Sequence, residues 1–433
     1  MSGIQRVLLC GTGPASIQLA ITFKNDLDCR VGLAGRESVR SAAFYAALEQ
    51  SGQQVQVTIQ NEKHRALAGK CIVDQVFRGY NTLAGEWQTL VLAVTTDAYI
   101  DVLQQIDDAF IKQLKCVILV SPTFGSSLLV SQYLQQRGAE AEIISFSTYL
   151  GDTRWLHEHP SNQVITTGVK RKVYIGSTVP SSAYVQQLRE LFERLHIALG
   201  VMSSPLEAET RNISLYVHPP LFMNAFSLEA IFGEQGVQKY VYKLYPEGPI
   251  TPALIRSMRE QWQEITQITD RLHIQGINLL QFMTDDNYPV RLESLSRHDI
   301  EEFDQLQAIH QEFLLYIRYA SLLIDPFSEP DAAGAYFDFS AVPFRRIFTN
   351  REGELDVPRM PKEDYYRIKI IQGIARHVQV SCPAIDHFIA IYEAKLQETA
   401  RAHPDQRLST AFVIQSFQQD IRMICSALNG SKD

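Results

Sequence analysis

The chain has 433 residues, 45% hydrophobic and 20% charged, with 48 acidic against 40 basic side chains and a formal charge of −8. That balance leaves no basic excess for coating a nucleic acid, and the absence of an apolar run of 18 residues argues against a membrane span. At roughly 150 residues per domain, the length predicts about two or three domains, each able to bury its own core.

Met1–Cys10 has no basic region, long apolar stretch or cleavage site, so no secretion signal is expected. The six cysteines (10, 29, 71, 116, 382 and 425) form no C-x-x-C pair, and several sit in apolar runs. They read as buried, reduced thiols of a cytoplasmic protein.

Through residue 150, short β-branched runs (Val7–Cys10, Cys29–Leu33, Leu90–Val94, Cys116–Val120, Glu142–Phe146) alternate with helical spacing in Ala15–Asn25, Ser38–Gln50 and Tyr99–Leu114. This texture predicts βαβ units and a parallel sheet. Val55–Ile59 and Ala66–Val73 are further strand candidates. Thr166–Ser177 alternates over a strand, Ser182–His196 reads as a helix and Ile197–Met202 as a strand, all extending the first sheet. From about residue 206 the texture is helical. Pro252–His273 and Asp299–Ile324 each carry an apolar stripe, the second followed by Pro326, and two or three helices cover roughly 362–429. A hairpin is expected from Arg346–Phe348, through Asn350 to Gly353, into Glu354–Val357. The prediction is a Rossmann-type, doubly wound parallel α/β domain over 1–205, followed by a largely α-helical domain over 206–433.

The first strand runs into Gly11-Thr12-Gly13-Pro14-Ala15-Ser16. The first glycine allows a tight turn, the second lets backbone approach a pyrophosphate, and a small residue at Ser16 lets helix and strand pack closely. Pro14 suits the first helical turn, whose N–H groups and dipole favour phosphate. Arg36 follows the second strand, about 20 residues on, where an acidic residue would bind the ribose of NAD. Arginine there favours the 2′-phosphate of NADPH, with Arg40 as a second cation; Glu37 is the competing candidate for NAD. Thr95 and Pro122 follow the fourth and fifth strands, at the edge where such sheets hold ligands. Ordinary turn chemistry accounts for them as well.

Of eleven histidines, His218 stands out: Val217-His218-Pro219-Pro220 falls where the first domain gives way to the second, the junction where cofactor and substrate would meet. It reads either as a general acid–base or as a structural His–Pro pair. Asp152, after Glu142–Phe146, could orient an imidazole or take a proton from an amine; it could equally be a helix cap or turn residue. Arg154 could hold a substrate carboxylate. Tyr242 and Lys243, and Arg345 in a second aromatic, Pro-rich loop, could contact a ring-bearing anion, although subunit packing explains them too. No spacing of HExxH type suggests a metal site.

Several long strings resemble the opine-metallophore dehydrogenases of the staphylopine dehydrogenase type. They are GTGPASIQLA, SPTFGSS, ISFSTYLGDTR, TTGVKRKVYIGST, RNISLYVHPPLFMNAFS, YKLYPEGPIT, NLLQFM, IDPFS and FDFSAVPFRR. The resemblance spans nearly the whole chain and weakens at 51–60, around 327–357 and at the C-terminus. It implies an NADPH-dependent enzyme that condenses the primary amine of a nicotianamine-like histidine–aminobutyrate intermediate with an α-keto acid, pyruvate or 2-oxoglutarate, and reduces the imine. It further implies Asp152 and His218 as the catalytic pair, Asp152 fixing the imidazole tautomer, with Arg36 and Arg40 at the 2′-phosphate. The family's enzymes are cytoplasmic homodimers that need no metal. A direct 2-keto acid or imine reductase and an NADPH-sensing protein remain as alternatives from the residues alone.

Overall fold

The alternating first half folds as β1 (Arg6–Cys10), α1 (Pro14–Leu27), β2 (Arg30–Gly35), α2 (Val39–Gln50), β3 (Gln54–Ile59), β4 (Gly69–Ile72), β5 (Gln75–Arg78) and β6 (Thr89–Leu92). It continues as α3 (Tyr99–Gln104), α4 (Asp108–Gln113), β7 (Cys116–Leu119), α5 (Ser126–Gln136), β8 (Glu142–Phe146), β9 (Gly151–Trp155), β10 (Gln163–Val169), β11 (Lys172–Ser177), α6 (Ala183–Arg194), β12 (Ala198–Val201) and α7 (Pro205–Thr210). The computed structural model describes residues 3–157, 159–233, 236–287, 290, 293–321 and 340–430. The chain forms two units, Met1–Asn212 with Arg422–Asp433, and Ile213–Ile421.

The main sheet of the first unit has the order β12-β11-β8-β7-β6-β1-β2-β5. From β5 to β8 all pairs are parallel, giving the 3-2-1-4-5-6 winding of a dinucleotide-binding fold. β6 and β7 are buried at every position, which is why they read as unbroken apolar runs. β11 then pairs antiparallel with β8, and β12 parallel with β11.

Three expectations change here. The strand candidates Val55–Ile59 and Ala66–Val73 are strands of a second sheet, β4-β3-β10-β9; Ala66 and Leu67 end a 3-10 helix, so the second of them starts at Gly69. The third place in the winding goes to β5, a four-residue strand too short to show a period. Thr166–Ser177 is two strands, one in each sheet, joined at Lys170-Arg171. Helix α1 lies between the sheets, touching β1 and β2 as well as β3, β4, β9 and β10. All of Ser16–Phe23 is therefore buried, and the helix shows little amphipathic contrast. Tyr99–Leu114 is broken into α3 and α4 by Asp107, whose carboxylate accepts from the Ala109 N–H (2.8 Å) and starts a new helix.

The division falls after Asn212 rather than after residue 205, because α7 packs on β8 and β11 and stays with the first sheet. The second unit is mainly helical: α8 (Ser214–Phe222), α9 (Ala225–Phe232), α10 (Pro252–Arg271), α11 (Leu279–Gln281), α12 (Arg297–Glu301), α13 (Ala308–Ala320), α14 (Arg359–His377) and α15 (Pro383–Ala402), with α16 (Gln418–Gly430) closing the chain. The expected helix Asp299–Ile324 is interrupted. Gln311 donates its side-chain N–H to the Phe303 carbonyl (2.8 Å), the acceptor a continuous helix would use internally. Its expected end at Ile324 and Pro326 lies outside the described residues. The expected hairpin is present as β13 (Phe348–Thr349) and β14 (Leu355–Asp356), with Asn350 Oδ1 accepting from Glu352 and Glu354 N–H and Gly353 at φ +76°.

All six cysteines are free, five of them buried, as expected. Among the described residues, no helix is long and apolar enough to cross a membrane, and no group of three or more His, Cys, Asp or Glu could hold a metal ion.

Candidate active site

The loop Gly11–Ala15 turns sharply from β1 into α1. Gly11 has φ +133°, and a Cβ there would lie 2.5 Å from the Ala93 carbonyl oxygen. The same atom on Gly13 would meet nothing within 4 Å. Gly13 is the helix N-cap and supplies no side-chain cap, and Pro14 fills the first turn. The Ser16 hydroxyl is buried yet has no hydrogen-bond partner among the described residues. An uncapped helix N-terminus, open space at Gly13 and an orphaned hydroxyl fit a pyrophosphate. Gly11 to Ala15 would hold it.

Arg36 emerges exposed from the end of β2, with no side-chain partner among the described residues. Its carbonyl accepts from Ser41 Oγ (2.6 Å), while Ser38 and Ser41 cap α2 reciprocally. Arg40, also exposed, lies in the first turn of that helix. An adenosine 2′-phosphate fits this cationic, solvent-facing corner. Glu37 is exposed beside it.

Thr95 is exposed after β6, and Pro122 is buried after β7. Both lie at the carboxyl edge that carries the Gly11–Gly13 loop. The 121–127 loop is fixed from below by a carboxylate that the sequence reading missed. Glu209 of α7 is fully buried and accepts from Gly125 N–H (2.8 Å), Ser127 N–H (2.7 Å) and Ser145 Oγ (2.8 Å). Burial pushes this carboxyl up to about 7 despite its three donors.

Asp152 and Arg154 project from β9. Asp152 Oδ2 accepts from Arg154 Nε (2.9 Å) and Thr167 Oγ1 (2.9 Å). Both side chains are more than half exposed, so the pair is available to a ligand. The opposite face of the strand is anchored in a buried polar chain. Tyr149 OH meets Thr153 Oγ1 (2.8 Å), Thr153 meets Thr166 Oγ1 (2.9 Å), Thr166 donates to Gln18 Oε1 (2.7 Å), and Gln18 Nε2 donates to the Leu67 carbonyl (3.0 Å). The strand bearing Asp152 is thus tied to the helix that opens at the phosphate loop.

In the second unit His218 sits inside α8, followed by Pro219 and Pro220. Pro219 has no N–H to give the carbonyl four residues earlier. Gln261, buried on α10, donates to that Leu215 carbonyl instead (2.5 Å), so the prolines dock α8 on α10. The other side of α8 packs on α14. There His218 Nδ1 lies 3.4 Å from Asp364 Oδ1, with Asp364 fully buried and the imidazole one-fifth exposed. Arg367 Nη1 donates to the same carboxylate oxygen (2.9 Å). Arg367 also pairs with Glu363, which pairs with Arg359. Burial alone would raise the Glu363 carboxyl, but the guanidinium groups of Arg367 and Arg359 hold it below its ordinary range. His218 Nδ1 thus faces a buried carboxylate at ion-pair distance without a formed hydrogen bond, and Nε2 has no partner among the described residues.

Within the second unit the carboxylate beside the imidazole is Asp364, which the sequence reading missed. Asp152, in the first unit, is engaged by Arg154 and Thr167. A signal for Asp364 exists in the sequence: it falls on the same helical stripe as Ile368, Ile371 and Ala375, where an acid needs a partner.

The two aromatic, cationic segments of this unit come together. Val241 N–H donates to the Val342 carbonyl (2.8 Å) and Phe344 N–H to that of Lys239 (3.0 Å). Phe344 meets Phe222 edge-on at 5.8 Å, and Phe222 meets the His218 ring at 5.3 Å. Tyr242 is half-buried. Lys243 pairs with Glu247 (3.1 Å), while Arg345 is exposed and unpaired among the described residues. The start of the second loop, Asp338-Phe339, lies outside the described residues.

Residues 5–428 match the family model described as staphylopine dehydrogenase. The chain is 47% identical to the staphylopine synthase of Staphylococcus aureus, covering 98% of each, and 37% identical to the pseudopaline synthase of Pseudomonas aeruginosa, covering 92% and 93%. Its structure is similar to that of NADP+-bound yersinopine dehydrogenase, with a TM-score of 0.91 at 29% identity over 99% of each chain. Octopine dehydrogenase shares the fold, with a TM-score of 0.61 at 14% identity over 99% and 98%.

Proposed function

The chain belongs to the staphylopine dehydrogenase family, and we propose that it is an NADPH-dependent opine dehydrogenase making a staphylopine-like metallophore. Its substrates are the primary amine of a nicotianamine-like histidine–aminobutyrate intermediate and an α-keto acid, pyruvate or 2-oxoglutarate. The amine adds to the keto carbon, water leaves to give an imine, and hydride plus a proton convert the imine to a secondary amine. NADPH, when bound, supplies the hydride. Gly11 to Ala15 hold its pyrophosphate, Arg36 and Arg40 its 2′-phosphate, and Thr95 and Pro122 border it at the sheet edge. The enzyme is a cytoplasmic homodimer that uses no metal.

The observation that carries the chemistry is the buried carboxylate at His218 Nδ1. In this reading Asp364, 3.4 Å away, favours the proton on Nδ1 and leaves Nε2 to exchange protons with the reactants. As a base, Nε2 takes a proton from the attacking amine; as an acid, it gives one to the departing hydroxyl. Arg367 fixes Asp364 in turn. Asp152 takes a proton from the incoming ammonium group, and Arg154 binds a substrate carboxylate. Tyr242, Lys243 and Arg345 contact the amine substrate.

The test follows NADPH oxidation with keto acid alone, amine alone and both together, and reads the product by mass. Turnover only with both, and a product mass equal to amine plus keto acid less one water plus two hydrogens, is expected; equal turnover with keto acid alone refutes the reading in favour of a keto acid reductase.

A further inference from the structure

The turn Lys170-Arg171, which joins the two sheets of the first unit, has a place and a charge that the proposed chemistry does not use. Residue Ile175 of β11 pairs with Phe146, the last residue of β8, in antiparallel register. The start of β11, and the turn before it, therefore lie at the carboxyl end of β8. That is the edge on which parallel α/β sheets bind their ligands. The turn is fixed on both sides: Lys170 N–H donates to the Leu150 carbonyl (2.9 Å), and the Arg171 carbonyl accepts from Ala198 N–H (2.9 Å). Next to it, Val169 and Gly168 pair with Gly151 and Asp152. A Cβ on Gly151 would lie 2.3 Å from the Gly168 carbonyl oxygen, so the strands close tightly beside the turn.

Among the described residues, two cations stand here without an anion. Lys170 is half-buried and Arg171 exposed, and neither side chain has a partner among the described residues. The neighbouring carboxylate, Asp152, is already engaged by Arg154 and Thr167. Lys172, by contrast, rests its ammonium over the Tyr174 ring at 4.6 Å. A partly desolvated ammonium without a counter-ion is unfavourable unless an anion joins it. Burial accordingly pulls the Lys170 amine below its ordinary range, with no acidic group opposing the shift.

We propose that the Lys170-Arg171 turn is a subsite for a carboxylate of the substrate, with Lys170 as its principal contact and Arg171 at the rim. The proposal rests on the opine dehydrogenase reading. The carboxylate has two sources, the amine substrate and the keto acid, and the kinetics separate them.

The experiment compares wild type with Lys170→Met, Lys170→Arg and Arg171→Ala. KM is measured for the histidine–aminobutyrate amine with keto acid saturating, then for pyruvate and 2-oxoglutarate with amine saturating. Loss of one charged hydrogen bond is expected to raise one of these KM values in Lys170→Met by about 10–100-fold. Lys170→Arg should recover most of it, and Arg171→Ala should show a smaller rise. A rise confined to the amine places the amine's carboxylate here, and one confined to 2-oxoglutarate places its second carboxylate here. NADPH binding should not change. Malonate, which cannot react, provides a second readout: it should raise the melting temperature of wild type and Lys170→Arg but not of Lys170→Met. If no amine and keto acid pair turns over yet the malonate effect depends on Lys170, the functional reading fails and the subsite stands. If turnover proceeds with every KM within twofold of wild type and malonate acts equally on all variants, the subsite is refuted. Weakened NADPH binding in Lys170→Met, or Lys170→Arg as impaired as Lys170→Met, refutes it as well.

Discussion

Replacing Glu209 by glutamine tests whether a buried carboxylate sets the pH range in which the 121–127 loop is held. Burial lifts this carboxyl from its ordinary 4.5 to about 7 in the folded protein. A folded-state value above the unfolded one means that the native state binds the extra proton between those two pH values. The associated stability is complete below about 4.5 and is lost as the pH rises through about 7. A shift of this size corresponds to about 3 kcal/mol at roughly 1.4 kcal/mol per unit. Glutamine cannot ionise, so Glu209→Gln should lack this dependence. It also turns an N–H donor toward one of three donors, at a cost of about 1–3 kcal/mol that does not vary with pH.

Equilibrium urea unfolding of both proteins, from pH 5 to pH 8 at constant ionic strength, reads the difference. Other titrating groups are common to both and cancel. The stability of wild type relative to the variant should fall by roughly 2–3 kcal/mol across that range. Parallel curves would refute the reasoning, because they would mean that Glu209 is ionised throughout and that its three donors outweigh its burial.

Three other outcomes follow from the geometry. His218→Ala should lower kcat/KM for the condensation by about 10²–10⁴-fold with NADPH affinity unchanged, and adding Asp364→Asn should cost little more, since the two act as one unit; additive losses would separate them. Arg36→Ala should weaken NADPH by about 10–100-fold in a fluorescence titration while leaving NADH within a few-fold; equal losses would remove the 2′-phosphate from Arg36. Gly13→Ala, where a Cβ meets nothing, should keep the melting temperature and weaken NADPH, whereas Gly11→Ala, 2.5 Å from a carbonyl and at φ +133°, should lower the melting temperature itself.

The phosphate loop was legible in the sequence because its requirements are local: a turn, an open backbone and a helix start within six residues. The strands β6 and β7 were legible for a similar reason, since burial on both faces leaves an unbroken apolar run. The second sheet was not. Its strands come from residues about 100 positions apart, and β3 pairs in parallel with β10 through register alone. Nothing in the local pattern of Val55–Ile59 says which sheet it joins. Asp364 was overlooked for a related reason. It is far from His218 in sequence, and its only mark was an acid on an apolar helical stripe.

The same contrast explains how the two acids divide the work in the proposed reaction. An exposed carboxylate with an arginine beside it, such as Asp152, remains open to water and can meet a charged substrate. A buried carboxylate such as Asp364 is closed to substrate and can act only through what touches it, here the imidazole on one side and Arg367 on the other. The resemblance pairs Asp152 with His218, and the structure adds a second, buried aspartate, Asp364, beside His218 Nδ1. The rigidity of that arrangement comes from α8, where Pro219 removes a helix hydrogen bond and Gln261 replaces it from α10. The prolines after His218 thus hold the histidine between α10 and α14, with Nδ1 facing the Asp364 carboxylate.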